Sequence, residues 1–125
     1  MPDTYVGKKI TRLEDDILLA GEATFIDDIQ LDGMLHLAVV RSQMAHARIS
    51  SIDVTAARKV PGVAAVYTID DLLPVLSQER IPENFPTPGA RVDVGPYILA
   101  RDEVCYVGEA IVAVIAENRY VAEDA

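Results

Sequence analysis

Seven consecutive apolar residues, Ala110-Ile111-Val112-Ala113-Val114-Ile115-Ala116, follow a bend at Gly108 and form the longest such run in the chain. A strand that is apolar at odd and even positions alike has no side suited to water. The run therefore predicts a central strand covered on both faces. It is far shorter than the roughly 20 residues that a bilayer crossing requires. Other segments must supply its neighbours. Residues 34–41 are also apolar on both parities and read as another central strand. In residues 47–54 the anchors Ile49 and Ile52 have opposite parity, so a strand there needs a bulge near Ser50-Ser51. Residues 63–68 form a further expected strand, and 97–107 alternate about a turn at Arg101-Asp102.

The helices between these strands are expected to be short. Asp53 or Thr55 caps one through residues 56–59, whose Arg58 and Lys59 suit the macrodipole and which Pro61-Gly62 stops. Thr68, followed by Asp70 and Asp71, starts a second that Pro74 cuts short. Asn118 caps a third, which reaches Ala125 with Glu123 and Asp124 at its end and no Gly or Pro to close it. Such an ending reads as a cut helix, so the chain is expected to be the first part of something longer. Residues 1–32 read as an ordered extended arm. Five of the seven prolines (Pro74, Pro82, Pro86, Pro88, Pro96) fall in residues 74–96, a loop that keeps Leu76, Ile81 and Phe85 and is expected to dock on something. The expected class is α+β: mixed strands with short helices on one side, in a single domain over residues 1–125.

A chain of 125 residues is long enough for one domain and too short for two. With 50% hydrophobic residues it can build a core, which excludes intrinsic disorder. Lone Cys105 allows no internal disulfide and no four-thiolate site. The balance of 11 Lys+Arg against 20 Asp+Glu, a net charge of −9, argues against nucleic acid as a partner. The N-terminal MPDTYVGKK lacks the apolar core of a signal peptide, so a cytoplasmic location without membrane insertion is expected.

Side chains capable of chemistry are present but scattered. His36 and His46 have no helical i, i+4 spacing, and a metal site needs three or four convergent ligands. Each is expected to be satisfied by a backbone or carboxylate partner. A nucleophilic Cys105–His dyad would need the fold to join distant residues, and Cys105 is expected to pack as a small hydrophobe. The pairs Asp15-Asp16, Asp27-Asp28 and Asp70-Asp71 sit at turns or helix starts, where Asp is favoured anyway. Glu109, between Gly108 and the apolar run, is the carboxylate of most interest: desolvation would raise its pKa, or a cation would hold it. Arg41, Arg48 and Arg58 lack any Gly-rich phosphate loop, and Arg41-Ser42 is expected to make an interface contact. No catalytic, cofactor-binding or metal-ligating residue is assigned within the chain.

The run GEATFIDDIQLDGMLHLAVVRSQMAHARISSIDVTAARKVPGVAAVYTIDDL and the later LARDEVCYVGEAIVAVIAENRYVAEDA resemble one known domain. It is the N-terminal α/β hammerhead of the molybdenum hydroxylase large subunit, found in xanthine dehydrogenase, aldehyde oxidase and aerobic carbon monoxide dehydrogenase. The resemblance extends from about Arg12 to Ala125. It rests on an ordered set: the turn from Gly21 to Asp28, Arg41-Ser42 with Ala45-His46-Ala47, Ser51-Ile52-Asp53, Pro61-Gly62-Val63 and Val107-Gly108. One departure is Ala110, where many relatives carry Pro, which implies a less rigid bend after Gly108.

By that resemblance the parent enzyme oxidises an aldehyde, an N-heterocycle or carbon monoxide, using molybdopterin (molybdenum) in the large subunit and iron–sulfur and FAD groups on partner subunits. The positions of the cofactor and of the catalytic glutamate lie beyond Ala125, so this segment is expected to bind no cofactor and to be non-catalytic by itself. Its implied partners are the molybdopterin-binding remainder of the large subunit and the iron–sulfur subunit. The start at Met1, ahead of the domain, suggests the separate-subunit arrangement of bacteria. The alternative is a stand-alone protein-binding or assembly module that kept the fold, and a third reading is a small enzyme centred on Cys105 or Glu109. In isolation a homodimer or higher oligomer is expected, because unpaired strand edges and an apolar face need cover.

Overall fold

The computed structural model describes residues 6–82 and 95–125. In chain order its elements are α1 (Asp15–Ala20), a 3₁₀ turn (Ile26–Asp28), β1 (His36–Arg41), β2 (Ala47–Arg48), a second 3₁₀ turn (Ala57–Lys59), β3 (Val63–Tyr67), α2 (Ile69–Leu72), β4 (Glu103–Val104), β5 (Ala110–Ala116) and α3 (Arg119–Asp124). They fall into two units, Met1–Gly33 and Met34–Ala125.

In the second unit the apolar run takes the place expected of it. β5 lies at the centre of a three-stranded antiparallel sheet of order β1-β5-β3, while β2 and β4 form a separate two-stranded ribbon. Along β5, Val112, Val114 and Ala116 are buried and Ala113 and Ile115 half-buried, so cover is complete on one face only. The buried side joins Val66 of β3 to Val112 and Val114, with Ile52, Val54, Ala57, Val63, Ile111 and Ala125 packed around them. Helix α3 packs against β1 and β5. It starts where Asn118 Oδ1 accepts the backbone N–H of Val121 at 2.9 Å, the cap read from the sequence.

Other expectations need correction. β1 is an edge strand of the sheet, not a central one, and its Leu37 and Val40 are exposed. Apolar residues on both parities did not mean two strand neighbours; β5 alone pairs with it, with a register shift between Val40 and Arg41. The strand expected over 47–54 is only Ala47–Arg48, because beyond it the chain turns at Asp53, whose Oδ1 accepts the N–H of Thr55 at 2.9 Å. The alternation over 97–107 yields only Glu103–Val104 as strand, and Ala100 instead donates its N–H to the Ala110 carbonyl at 2.7 Å.

The helix expected over 56–59 is a 3₁₀ turn with no side-chain cap. It leads to Gly62, whose φ of +88° favours glycine, while Glu117 Oε1, 2.6 Å from where a Cβ would stand, belongs to an exposed side chain that can turn aside. Phe85, Pro86 and Pro88, the middle of the proline-rich loop, lie outside the described residues. Where the chain is described on either side, Arg80 and Tyr97 form a β-bridge.

The Met1–Gly33 unit contains helix where extended chain was expected. Asp15 and Asp16 occupy the first turn of α1, the side chain of Asp15 accepts the Arg12 N–H at 3.1 Å, and Gly21 ends the helix. Farther on, Asp28 Oδ2 accepts the N–H of Phe25 at 2.9 Å and closes the 3₁₀ turn. All these bonds are local in sequence.

Candidate functional site

The densest polar arrangement of the Met34–Ala125 unit lies where the ribbon meets the start of β5. Glu109 is only 3% exposed, and its Oε2 accepts the backbone N–H of Cys105. That bond closes a loop whose next link is the Glu109 N–H donating to the Tyr106 carbonyl at 3.3 Å. Gly108 makes the bend with φ +92°, a conformation that residues with a Cβ rarely adopt. Its N–H donates to the Ser42 carbonyl at 2.8 Å, and the Ser42 N–H donates to the Glu109 carbonyl at 2.9 Å. Ser42 is itself buried; its hydroxyl donates to the Met44 carbonyl at 2.8 Å and accepts the Met44 N–H at 3.0 Å. Arg41 turns its guanidinium onto the Gly108 carbonyl at 2.9 Å. Arg41 and Ser42 thus make these bonds within the chain.

On the ribbon the register pairs Ala47 with Val104 and Arg48 with Glu103. One step beyond the ladder, His46 stands opposite Cys105. Residues directly opposite, and those two apart on one strand, share a face. His46, Glu103 and Cys105 thus lie on one side. His46 Nε2 and Glu103 Oε2 are 2.8 Å apart, the carboxylate partner expected for this histidine. Donor atoms of all three residues lie within 4.8 Å of one another. Cys105 is exposed and not packed as a hydrophobe. Sequence reasoning missed this group because ladders of two residues carry no periodicity to read.

The remaining candidates are dispersed. His36 is half-buried at the start of β1, opposite Ala116. Arg58 bonds both carboxylate oxygens of Asp71, at 3.0 and 2.9 Å, and the Val66 carbonyl at 3.1 Å. Asp71 Oδ2 also accepts the N–H and the hydroxyl of Thr68, each at 2.8 Å. The N–H of Thr68 foremost, then its hydroxyl, hold the Asp71 carboxyl below the usual carboxylate range. The side-chain and backbone groups of Thr55 do the same for Asp53. These carboxylates fasten turns. Arg41, Arg48 and Arg58 do not converge on a common anion site.

Molybdopterin carries a phosphate and a polar ring system, so its seat needs clustered N–H donors and a roomy polar cleft. The groove beside Ile49, Val54 and the β5 valines offers neither. This groove, of about 340 Å³, is walled mainly by Ile52, Val54, Val66, Val112 and Val114. Beside another, Arg80 donates to the Gly95 carbonyl and lies over the Tyr97 ring, 4.0 Å from its centroid. Among the described residues no helix is long and apolar enough to cross a membrane.

Comparison with known proteins follows the same lines. A protein-family model described as the aldehyde oxidase and xanthine dehydrogenase a/b hammerhead domain matches residues 20–125. The chain is 44% identical to the 6-hydroxypseudooxynicotine dehydrogenase complex subunit gamma of Paenarthrobacter nicotinovorans, over 97% of this chain and 15% of that one. It is 39% identical to the carbon monoxide dehydrogenase large chain of Afipia carboxidovorans, over 96% of this chain and 14% of that one. Among solved structures, quinoline 2-oxidoreductase from Pseudomonas putida superposes with a TM-score of 0.81 at 38% identity, over 94% of this chain and 15% of that one. The chain thus spans about one seventh of the length of these relatives.

Proposed function

The chain belongs to the aldehyde oxidase and xanthine dehydrogenase family, whose a/b hammerhead domain it matches, and from that premise we propose that it is the structural, non-catalytic domain of a molybdopterin-dependent hydroxylase large subunit. Residues 1–125 serve as one domain of that subunit, with the molybdopterin and the catalytic base held by its other parts. The whole enzyme oxidises an aldehyde, an N-heterocycle or carbon monoxide in the cytoplasm. Electrons leave for iron–sulfur and FAD groups on partner subunits. The chain's share of the work is to pack against the molybdopterin-binding remainder and to help seat the iron–sulfur subunit.

One observation carries this reading. Ala113 and Ile115 face away from buried Val112 and Val114, and the register sets Val39 and Tyr67 beside Ala113, and Leu37 and Ala65 beside Ile115. This second face of the sheet is apolar, yet Leu37 is 64% exposed. Soluble domains that function alone rarely leave a sheet face of this kind open. A larger body of the same enzyme is the cover it suits.

A native pull-down from the source cell tests the proposal. It is expected to recover the sequence as part of a longer form of this same chain that carries molybdenum. Recovery of a cofactor-bearing subunit as a separate polypeptide would favour a stand-alone assembly module instead. When the chain is purified alone, the same face is expected to be covered by a second copy. Light scattering should then show a dimer at micromolar concentration and a monomer for Leu37→Asp.

A further inference from the structure

The geometry points to a zinc-binding site formed by His46, Glu103 and Cys105 on one face of the β2–β4 ribbon. Imidazole, carboxylate and thiolate are the three donor types that Zn²⁺ takes from proteins, and three of them with a water complete a tetrahedron. Their mixed hardness favours a borderline divalent ion over Mg²⁺ or Ca²⁺. The donors are brought together by the register of the ribbon, with Glu103 on β4 and the other two at its end. His46 immediately precedes the paired residue Ala47, Cys105 immediately follows its partner Val104, and Glu103 lies within the ladder.

The histidine already presents Nε2, the nitrogen that meets Glu103 Oε2 at 2.8 Å. A tetrahedral zinc with bonds of about 2.0–2.3 Å sets its ligands about 3.3–3.8 Å apart. From donor atoms within 4.8 Å of one another, closure takes about 1 Å of side-chain movement, which exposed rotamers can supply. The backbone on either side is held in advance. Buried Glu109 fixes the Cys105 N–H, and Ser42 ties the approach to His46 through Met44 and through Gly108 and Glu109. Arg48 is the opposing feature, because its register position opposite Glu103 puts a positive charge on the same face.

Ligation is balanced by proton loss. Zn²⁺ replaces the thiol hydrogen of Cys105, releasing one H⁺, while the imidazole proton that Nε2 shares with Glu103 passes through solvent to Nδ1, so that the neutral ring binds through Nε2 with no further net proton loss. No electron moves. The site is independent of the structural role proposed above, since it concerns neither molybdenum nor substrate oxidation.

Titration of the full chain, reduced and metal-free, with Co²⁺ and then Zn²⁺ tests the inference. The expected result is one ion per chain, a thiolate-to-cobalt charge-transfer band that Zn²⁺ abolishes, and one proton released per zinc by calorimetry in two buffers. Cys105→Ser is expected to remove the band and weaken zinc about 100-fold, with His46→Ala weakening it about 30-fold and Glu103→Gln about 10-fold. All three side chains are exposed, so circular dichroism of the variants should match the parent. His46→Gln provides a second variant of closer size. Zinc bound equally well by both His46 variants would mean a lone-thiol adduct and overturn the inference, as would no stoichiometric zinc binding at 100 micromolar, a level about ten times a ~10 micromolar dissociation constant expected for so exposed a site.

Discussion

In the Met34–Ala125 unit, Val66, Val112 and Val114 are no more than 6% exposed, whereas in the Met1–Gly33 unit Leu13, Leu19 and Ile26 stand at 98%, 86% and 86%. The difference follows from which residues each unit can bring together. β5 pairs with β1 and β3, strands that lie more than 40 residues earlier, so side chains far apart in sequence cover one another. Within Met1–Gly33 the bonds are local, as from Asp15 to Arg12 and from Asp28 to Phe25. A helix of one or two turns is marginal without packing on an apolar face, and capping bonds do not supply that packing. The first unit thus keeps large apolar side chains exposed that its own local bonds cannot bury.

Aspartate substitutions give the widest separation between the two regions. Val114→Asp buries an unpaired charge among valines and should destabilise by about 4 kcal/mol or more, enough to abolish a cooperative urea transition. Leu19→Asp should stay within about 0.5 kcal/mol of the parent in the same experiment. Equal costs at the two positions would break the comparison. Next in size is Gly62→Ala, where the positive φ should cost about 1–3 kcal/mol in urea unfolding.

Replacing Glu109 isolates the bracing of the ribbon. Glu109→Ala leaves the Cys105 N–H without its carboxylate and should lower stability by about 1–3 kcal/mol. Glu109→Gln keeps an acceptor oxygen and should recover most of that loss.

The smallest effect is pH-dependent. The Asp71 carboxyl is lowered in the folded chain, so its stabilisation is present above the ordinary carboxylate pKa of about 4. It is lost as pH falls through the lowered folded value. Asp71→Asn should thus cost about 0.5 kcal/mol at pH 7, after allowance for solvent screening, and progressively less as pH falls below the ordinary carboxylate range, as read by thermal melts across that range.

Local chemistry was the most legible part of the sequence. Thr68 with Asp71, and Asn118 with Val121, form caps three residues wide, and their residue types alone mark the helix starts. The central place of β5 was legible because no other run is as apolar. The position of β1 was not. Its pattern of Leu37, Val39 and Val40 reads as two covered faces, but the pattern reports what a face is made for, and in this chain one face stays open. The ribbon escaped for a different reason. His46 and Glu103 lie 57 residues apart and meet through two-residue strands, whose pairing is set by the sheet and the turn at Gly108, not by any pattern of their own. The outward position of Cys105 follows from that pairing, and residue type alone pointed inward.

The role of scaffold is tested most directly by the purified chain's molybdenum content together with its turnover in a dye-linked aldehyde oxidation assay. The account predicts no stoichiometric molybdenum and no oxidation above background. One molybdenum per chain with sustained turnover by this polypeptide alone would contradict it.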